Sequence, residues 1–179
     1  MTQTAKAYGG AMYELARDEQ LADEILEQMR VLTAVFRQTP DYIKLLATPS
    51  ISKQERCQIL QQDFGGTLQK YLLNFMKLLT ERGLIREFEA CCEEYRHRYN
   101  EDHGIMEAVA VTAIALNDDL QTKLVKKLSD ITGKTIDLTN KVDPTVLGGI
   151  RLEMDGTQLD GTIRRRLDDV RTLLRNTVL

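Results

Sequence analysis

The stretch from Val142 to Leu174, VDPTVLGGIRLEMDGTQLDGTIRRRLDDVRTLL, constrains this chain more than any other. Ile150, Leu152 and Met154 alternate with polar residues, which predicts a strand with one buried face. Asp155-Gly156 predicts a hairpin turn, because both residues tolerate positive φ. Asp160-Gly161-Thr162 offers a start for a last helix whose Ile163, Leu167, Val170 and Leu174 share one face. Gly148-Gly149 predict a bulge or close backbone approach within a strand over Val146 to Met154. Architecture is specified here in detail and chemistry is not. A stretch patterned in this way points to a protein that holds others together.

The rest of the chain divides by pattern. Residues 1–104 read as six short amphipathic helices, a helical bundle. Tyr8, Ala11, Met12 and Leu15 fall at i, i+3, i+4 and i+7 of the first. Ile25, Met29, Leu32 and Phe36 stripe the second. Thr39-Pro40 opens a third, since proline suits the first turn, and Pro49 follows its end. Ser50 or Ser52 can cap the fourth, and Ser52 with Glu55 three residues on matches a capping box. Leu68, Leu72, Phe75 and Leu79 stripe the fifth, which Gly83 ends. Ile85, Phe88, Cys92, Tyr95 and Tyr99 mark the sixth, which fades over Asn100 to Gly104, a composition that predicts a hinge. Residues 105–179 then read as strand (Ile105–Leu116), helix (Leu120, Leu124, Leu128 and Ile131 as its stripe), strand (Lys134–Leu138), strand and helix. The expected fold is mainly α, in two domains: a six-helix bundle, 1–104, and a small β-α-β-β-α module, 105–179.

Composition closes several routes to function. The formal net charge is −3. Residues 1–104 carry 13 basic and 16 acidic side chains, and residues 105–179 carry 11 of each. Neither part is committed to a polyanion. Arg164-Arg165-Arg166 is the one basic cluster, and Asp168 and Asp169 neutralise it at i, i+4. A nucleic-acid-binding module using those arginines is the alternative reading. Cys57, Cys91 and Cys92 lack metal or redox spacing, as do His97 and His103. Gly65-Gly66 lacks the spacing and lysine of a phosphate loop. Glu93-Glu94 and Asp168-Asp169 are adjacent on helices, so their members diverge, and both pairs are expected to be solvated. No apolar run is long enough to span a bilayer. The glycines Gly9 and Gly10 cost helix stability, up to about 1 kcal/mol each. They therefore predict tight packing, inside the bundle or against a partner.

Three motifs, in order, carry a resemblance. The first is Lys6-Ala7-Tyr8-Gly9-Gly10-Ala11-Met12-Tyr13-Glu14-Leu15-Ala16, with Gly9 where alanine is common. The second is Leu78-Leu79-Thr80-Glu81-Arg82-Gly83-Leu84. The third joins Gly148, Gly149 and Ile150 to Asp160, Gly161, Thr162, Arg166 and Leu167. This set resembles the ATP synthase delta subunit family, which includes the mitochondrial oligomycin-sensitivity-conferring protein. The resemblance implies a non-catalytic stator subunit of the peripheral stalk, coupling ion transport to ATP synthesis without cofactor or metal. It implies an apolar groove between the first and fifth helices for the N-terminal helix of an alpha subunit. Tyr8, Ala11, Met12 and Leu15 would line one wall, and Phe75, Leu78 and Leu79 the other. It also implies that the C-terminal module meets the C-terminal region of the b stalk; the concentration of the signature there points to the last helix and the preceding Gly-Gly strand as the side of that contact. The subunit would then lie at the cytoplasmic face of a bacterial cell membrane, peripheral and held there through the complex.

Overall fold

The computed structural model describes residues 2–146, 148–154 and 156–161. Among them are seven α-helices and one four-stranded mixed sheet. The chain forms two compact units, Met1–Tyr99 and Asn100–Leu179.

The first unit is helical. Helix α1, Gln3–Asp18, is capped by Thr2, whose hydroxyl accepts from Ala5 N at 3.1 Å. It ends in a left-handed turn at Gln20, φ 59, with Leu21 N donating back to Ala16 O at 2.8 Å. Helix α2 is Ala22–Gln38, and α3, Pro40–Ala47, begins on the proline as expected. Helix α4, Lys53–Phe64, carries both arms of the predicted capping box: Glu55 N to Ser52 Oγ, 3.2 Å, and Ser52 N to Glu55 Oε2, 3.0 Å. Its Arg56 is buried, and Nη1 donates to Leu46 O at 2.8 Å, placing a cation at the C-terminus of α3 where carbonyls lack partners. Helix α5 is Lys70–Glu81, closed by Gly83 at φ 72. The sixth predicted helix is divided: Ile85–Glu87 is a 3-10 turn, and α6 runs Phe88–Asp102.

These helices share one core, with Ile25, Met29, Leu46, Leu60, Leu72, Met76, Leu79, Phe88 and Tyr95 all essentially inaccessible. The two glycines of α1 face α6. A Cβ on Gly9 would collide with the Cys91 carbonyl oxygen and stand 2.9 Å from Glu94 Cβ. The two backbones therefore meet with no side chain between them. A Cβ on Gly10 would strike the Arg98 guanidinium. Arg98 lies across α1, donating from Nε to Glu94 Oε1 and from Nη1 to Glu14 Oε1, both 2.9 Å. The packing that the glycines predict is thus internal. Glu94, expected to be solvated beside Glu93, is buried at 6% exposure, because the α1–α6 contact covers it and Arg98 neutralises it.

In the second unit β1, Ile105–Thr112, is followed by α7, Asp118–Thr132, and β2, Thr135–Val142. Strands β1 and β2 are parallel, a pairing that needs a crossover, and α7 supplies it. Strands β3, Ile150–Met154, and β4, Thr157–Asp160, form an antiparallel hairpin, and β3 also pairs with β1, giving the order β2-β1-β3-β4. Gly156, at φ 73, turns the hairpin. Leu124, Val125 and Leu128 of α7 share a cluster with Met106, Ala108, Ile136, Leu138, Leu152 and Met154 from one sheet face. The alanines of β1 are small because a helix lies over them.

Several expectations need correction here. The first strand stops at Thr112 rather than Leu116. The chain turns there, Asn140 accepts from Leu116 N at 2.8 Å, and Ile114 is 77% exposed. The second strand extends to Val142. The third begins at Ile150, not Val146, because Gly148 and Gly149 have φ of 138 and 85, outside the pleated range. The strand β4 went unpredicted, so the described order is β-α-β-β-β where β-α-β-β-α was expected. Its TQLD sequence has one large apolar residue, too few for an alternation. The last helix, from Thr162 on, lies outside the described residues. Of the segment expected as a hinge, Asn100 to Asp102 are helical, and Gly104 turns at φ 61.

The glycines of α1 yield a paired prediction. Gly9→Ala should cost about 1–3 kcal/mol, since the Cys91 backbone cannot yield. Gly10→Ala should cost less than Gly9→Ala, because its Cβ meets the end of a flexible side chain rather than backbone and alanine gains about 1 kcal/mol of helix propensity, provided that Arg98 shifts without leaving buried Glu94. Urea unfolding followed by far-UV circular dichroism compares them; equal losses would refute the backbone contact. Gln20→Gly should stabilise by about 1 kcal/mol, the cost of left-handed backbone at a residue with a Cβ, read in the same titration as a higher midpoint.

Candidate partner-binding surfaces

Residues flanking both ends of α1 reach toward the two ends of α5. Thr2 Oγ1 donates to Glu87 Oε2 at 2.6 Å, just past the C-terminal end of α5. At the other end the Tyr71 phenol, in the first turn of α5, bonds the Glu19 carboxylate, which raises its pKa above the ordinary tyrosine value. The two helices therefore run antiparallel.

The seven predicted groove residues separate by depth. Met12, Phe75 and Leu79 are core side chains, at 3%, 7% and 0% exposure. Tyr8 is half-buried, Ala11 is exposed, and Leu15 and Leu78 each keep 39% of their surface open. Tyr8, Ala11 and Leu15 share one side of α1. Leu78 shares its side of α5 with Tyr71 and Asn74, at i−7 and i−4. The predicted wall did not include those two, because it followed the apolar stripe, which marks the core side. Ala11, Leu15 and Leu78 present apolar side chains there.

The third motif is architectural where it is described. Gly148 and Gly149 supply positive φ immediately before β3. Ile150 opens β3 opposite Thr112, and Asp160 closes β4 opposite Arg151. Gly161 N donates to Ile150 O at 3.0 Å, and a Cβ there would stand 3.2 Å from that oxygen. The two halves of the motif thus meet at one end of the β3–β4 hairpin. Thr162, Arg166 and Leu167 lie outside the described residues, as do Arg164 and Arg165.

Among the described residues, catalytic groups do not converge. Among the described residues no cluster of His, Cys, Asp and Glu is suited to a metal. Burial pushes the Cys91 thiol up to about 11 and the Cys92 thiol up to about 12. Cys57 is raised too, by burial and by the Glu81 carboxylate. A thiol with raised pKa holds less thiolate at neutral pH and is a poor nucleophile. Ellman's reagent at pH 8 should therefore titrate Cys57 first and reach Cys91 and Cys92 only on unfolding. Rapid modification of all three in the folded protein would contradict this burial.

A family model for the ATP synthase delta (OSCP) subunit matches residues 4–174. The ATP synthase subunit delta of Lactobacillus johnsonii is 34% identical over 173 residues, 96% of this chain and 94% of the relative. That of Lactobacillus gasseri is 33% identical over 173 residues, with the same two coverages of 96% and 94%. A chain in the cryo-EM structure of the Toxoplasma gondii mitochondrial ATP synthase hexamer superposes with a TM-score of 0.77, covering 97% of this chain and 98% of its own. Its 15% identity makes that a likeness of fold. The motif order, the helical unit with its small mixed sheet, and these matches agree, and the chain belongs to the ATP synthase delta (OSCP) subunit family.

Proposed function

We propose that residues 1–104 take the N-terminal helix of an alpha subunit on the apolar strip of α1 and α5, and that residues 105–179 take the C-terminal region of the b stalk. The protein is a non-catalytic peripheral-stalk subunit of an F-type ATP synthase. The proposal concerns which surfaces do that work. The observation that carries it is the exposure of Leu15 and Leu78, large apolar side chains on two antiparallel neighbouring helices. Tyr8 and Ala11 extend the strip, while Met12, Phe75 and Leu79 form its floor. This is helix-in-groove recognition.

The magnitudes matter. Fully burying a large apolar side chain contributes about 1.5–3 kcal/mol. Leu15 and Leu78 each keep 39% of their surface open, so each would add on the order of 1 kcal/mol. One such strip gives a modest contact. A stator must hold the catalytic head still while the central shaft exerts torque on it. Linking two modest contacts, one to the head and one to the stalk, raises the effective concentration of each for its partner. The load is then shared without any contact being very strong. Among the described residues no helix is long and apolar enough to cross a membrane. We place the subunit at the cytoplasmic face of a bacterial cell membrane, held there through b.

Calorimetric titration of the full chain with a synthetic N-terminal peptide of the cognate alpha subunit tests the strip. Binding should carry a negative heat-capacity change. Leu78→Asp should raise Kd at least tenfold, about 1.4 kcal/mol. Val31→Asp, at an apolar position on α2 that is 53% exposed, should leave Kd unchanged. Equal effects of the two substitutions, or none from Leu78→Asp, would remove the α1–α5 strip as the site.

A further inference from the structure

Helix α7 buries less than its sequence offers. Of the apolar residues Leu120, Leu124, Val125, Leu128 and Ile131, only Leu128 is fully buried, at 6% exposure. Leu124 and Val125 are half-buried against the sheet. Leu120 and Ile131 are 50% and 72% exposed. They stand 11 residues apart, close to one line along the helix and about 16 Å distant at 1.5 Å per residue. Lys123 and Lys127 lie between them on nearly the same line, with Lys126 on the adjoining side. All three lysines are exposed, and none has an ion pair among the described residues. Lys123 and Lys127 are like charges at i, i+4, an arrangement that disfavours the isolated helix.

We propose that the line Leu120–Lys123–Lys127–Ile131 is the docking surface for an acidic amphipathic helix of the peripheral stalk. The proposal rests on the stator reading above and names the face of the second unit that serves it. Charge selects the occupant. A partner helix with two apolar anchors about three turns apart and carboxylates between them would cover both exposed ends and neutralise the lysines. A second copy of this chain, meeting the same face through a two-fold axis, would set lysine against lysine. An anionic membrane would meet only two separated apolar side chains, because Leu124 and Leu128 are already engaged by the sheet.

The test uses the full chain and the soluble part of the cognate b subunit, with Kd measured at two salt concentrations. The alpha-subunit peptide is titrated in parallel. Lys123→Glu/Lys127→Glu and Leu120→Ser/Ile131→Ser should each raise Kd for b at least tenfold and leave Kd for the alpha peptide unchanged. The charge variant should also lose the salt dependence. All four positions are exposed, and unchanged alpha-peptide binding reports an intact fold. If the wild type binds b and both variants bind it equally well, this face is overturned and the stator reading stands. If the wild type binds neither b nor the alpha peptide, both fall. If the charge variant loses binding only to phosphatidylglycerol vesicles, the face serves lipid and the proposal fails.

Discussion

The helical unit depends on one close approach. At Gly9 the backbone of α1 rests against the backbone of α6, with the Cys91 carbonyl where any other residue would carry a Cβ. That contact sets how near the two helices lie, and much follows from it. Glu94 becomes buried, a carboxylate that must be matched, and Arg98 matches it while reaching on to Glu14. Tyr13 then meets Tyr95 edge to face, with ring centroids 5.3 Å apart. The Tyr95 hydroxyl donates to Ala22 O at 2.9 Å, which positions the start of α2. A polar network at the edge of an apolar core is worthwhile only when its members are paired, and this one is paired because the helices are close enough to share it.

The second unit answers a different demand. A small mixed sheet has two faces and two edges, and among the described residues α7 lies over one face. The Asn140 side chain bonds Leu116 N, Ala110 O and the Thr112 hydroxyl, fixing the loop that carries the chain from β1 into α7. With that loop fixed, α7 is held over β1 and β2, and its outermost apolar residues overhang the sheet.

Much of this was legible in the chain. The capping box of Ser52 and Glu55, Pro40 at the start of α3, Gly83 after α5 and Gly156 at the hairpin turn are local signals, and local backbone chemistry decides them; Asp155 lies outside the described residues. Strand boundaries were less legible. Gly148 and Gly149 resembled strand interior because sequence does not record the sign of φ. The strand β4 was hidden because TQLD pairs with β3 through backbone groups that every residue carries. Of the predicted groove, the helices and faces could be read, and the depths could not. Met12 and Leu15 sit one turn apart in one apolar pattern, yet one is core and the other is open.

The sequence by itself determined where most helices begin and end, which side of each is apolar, and, through three ordered motifs, the family. Those properties depend on residues within a few positions of one another. Only the tertiary structure decided that Gly9 and Gly10 serve an internal contact, that Glu94 is buried, and that Leu15, Leu78, Leu120 and Ile131 remain exposed. Burial is set by what arrives from elsewhere in the chain. Periodicity gives the direction of a side chain, and only the packed neighbour decides whether water still reaches it.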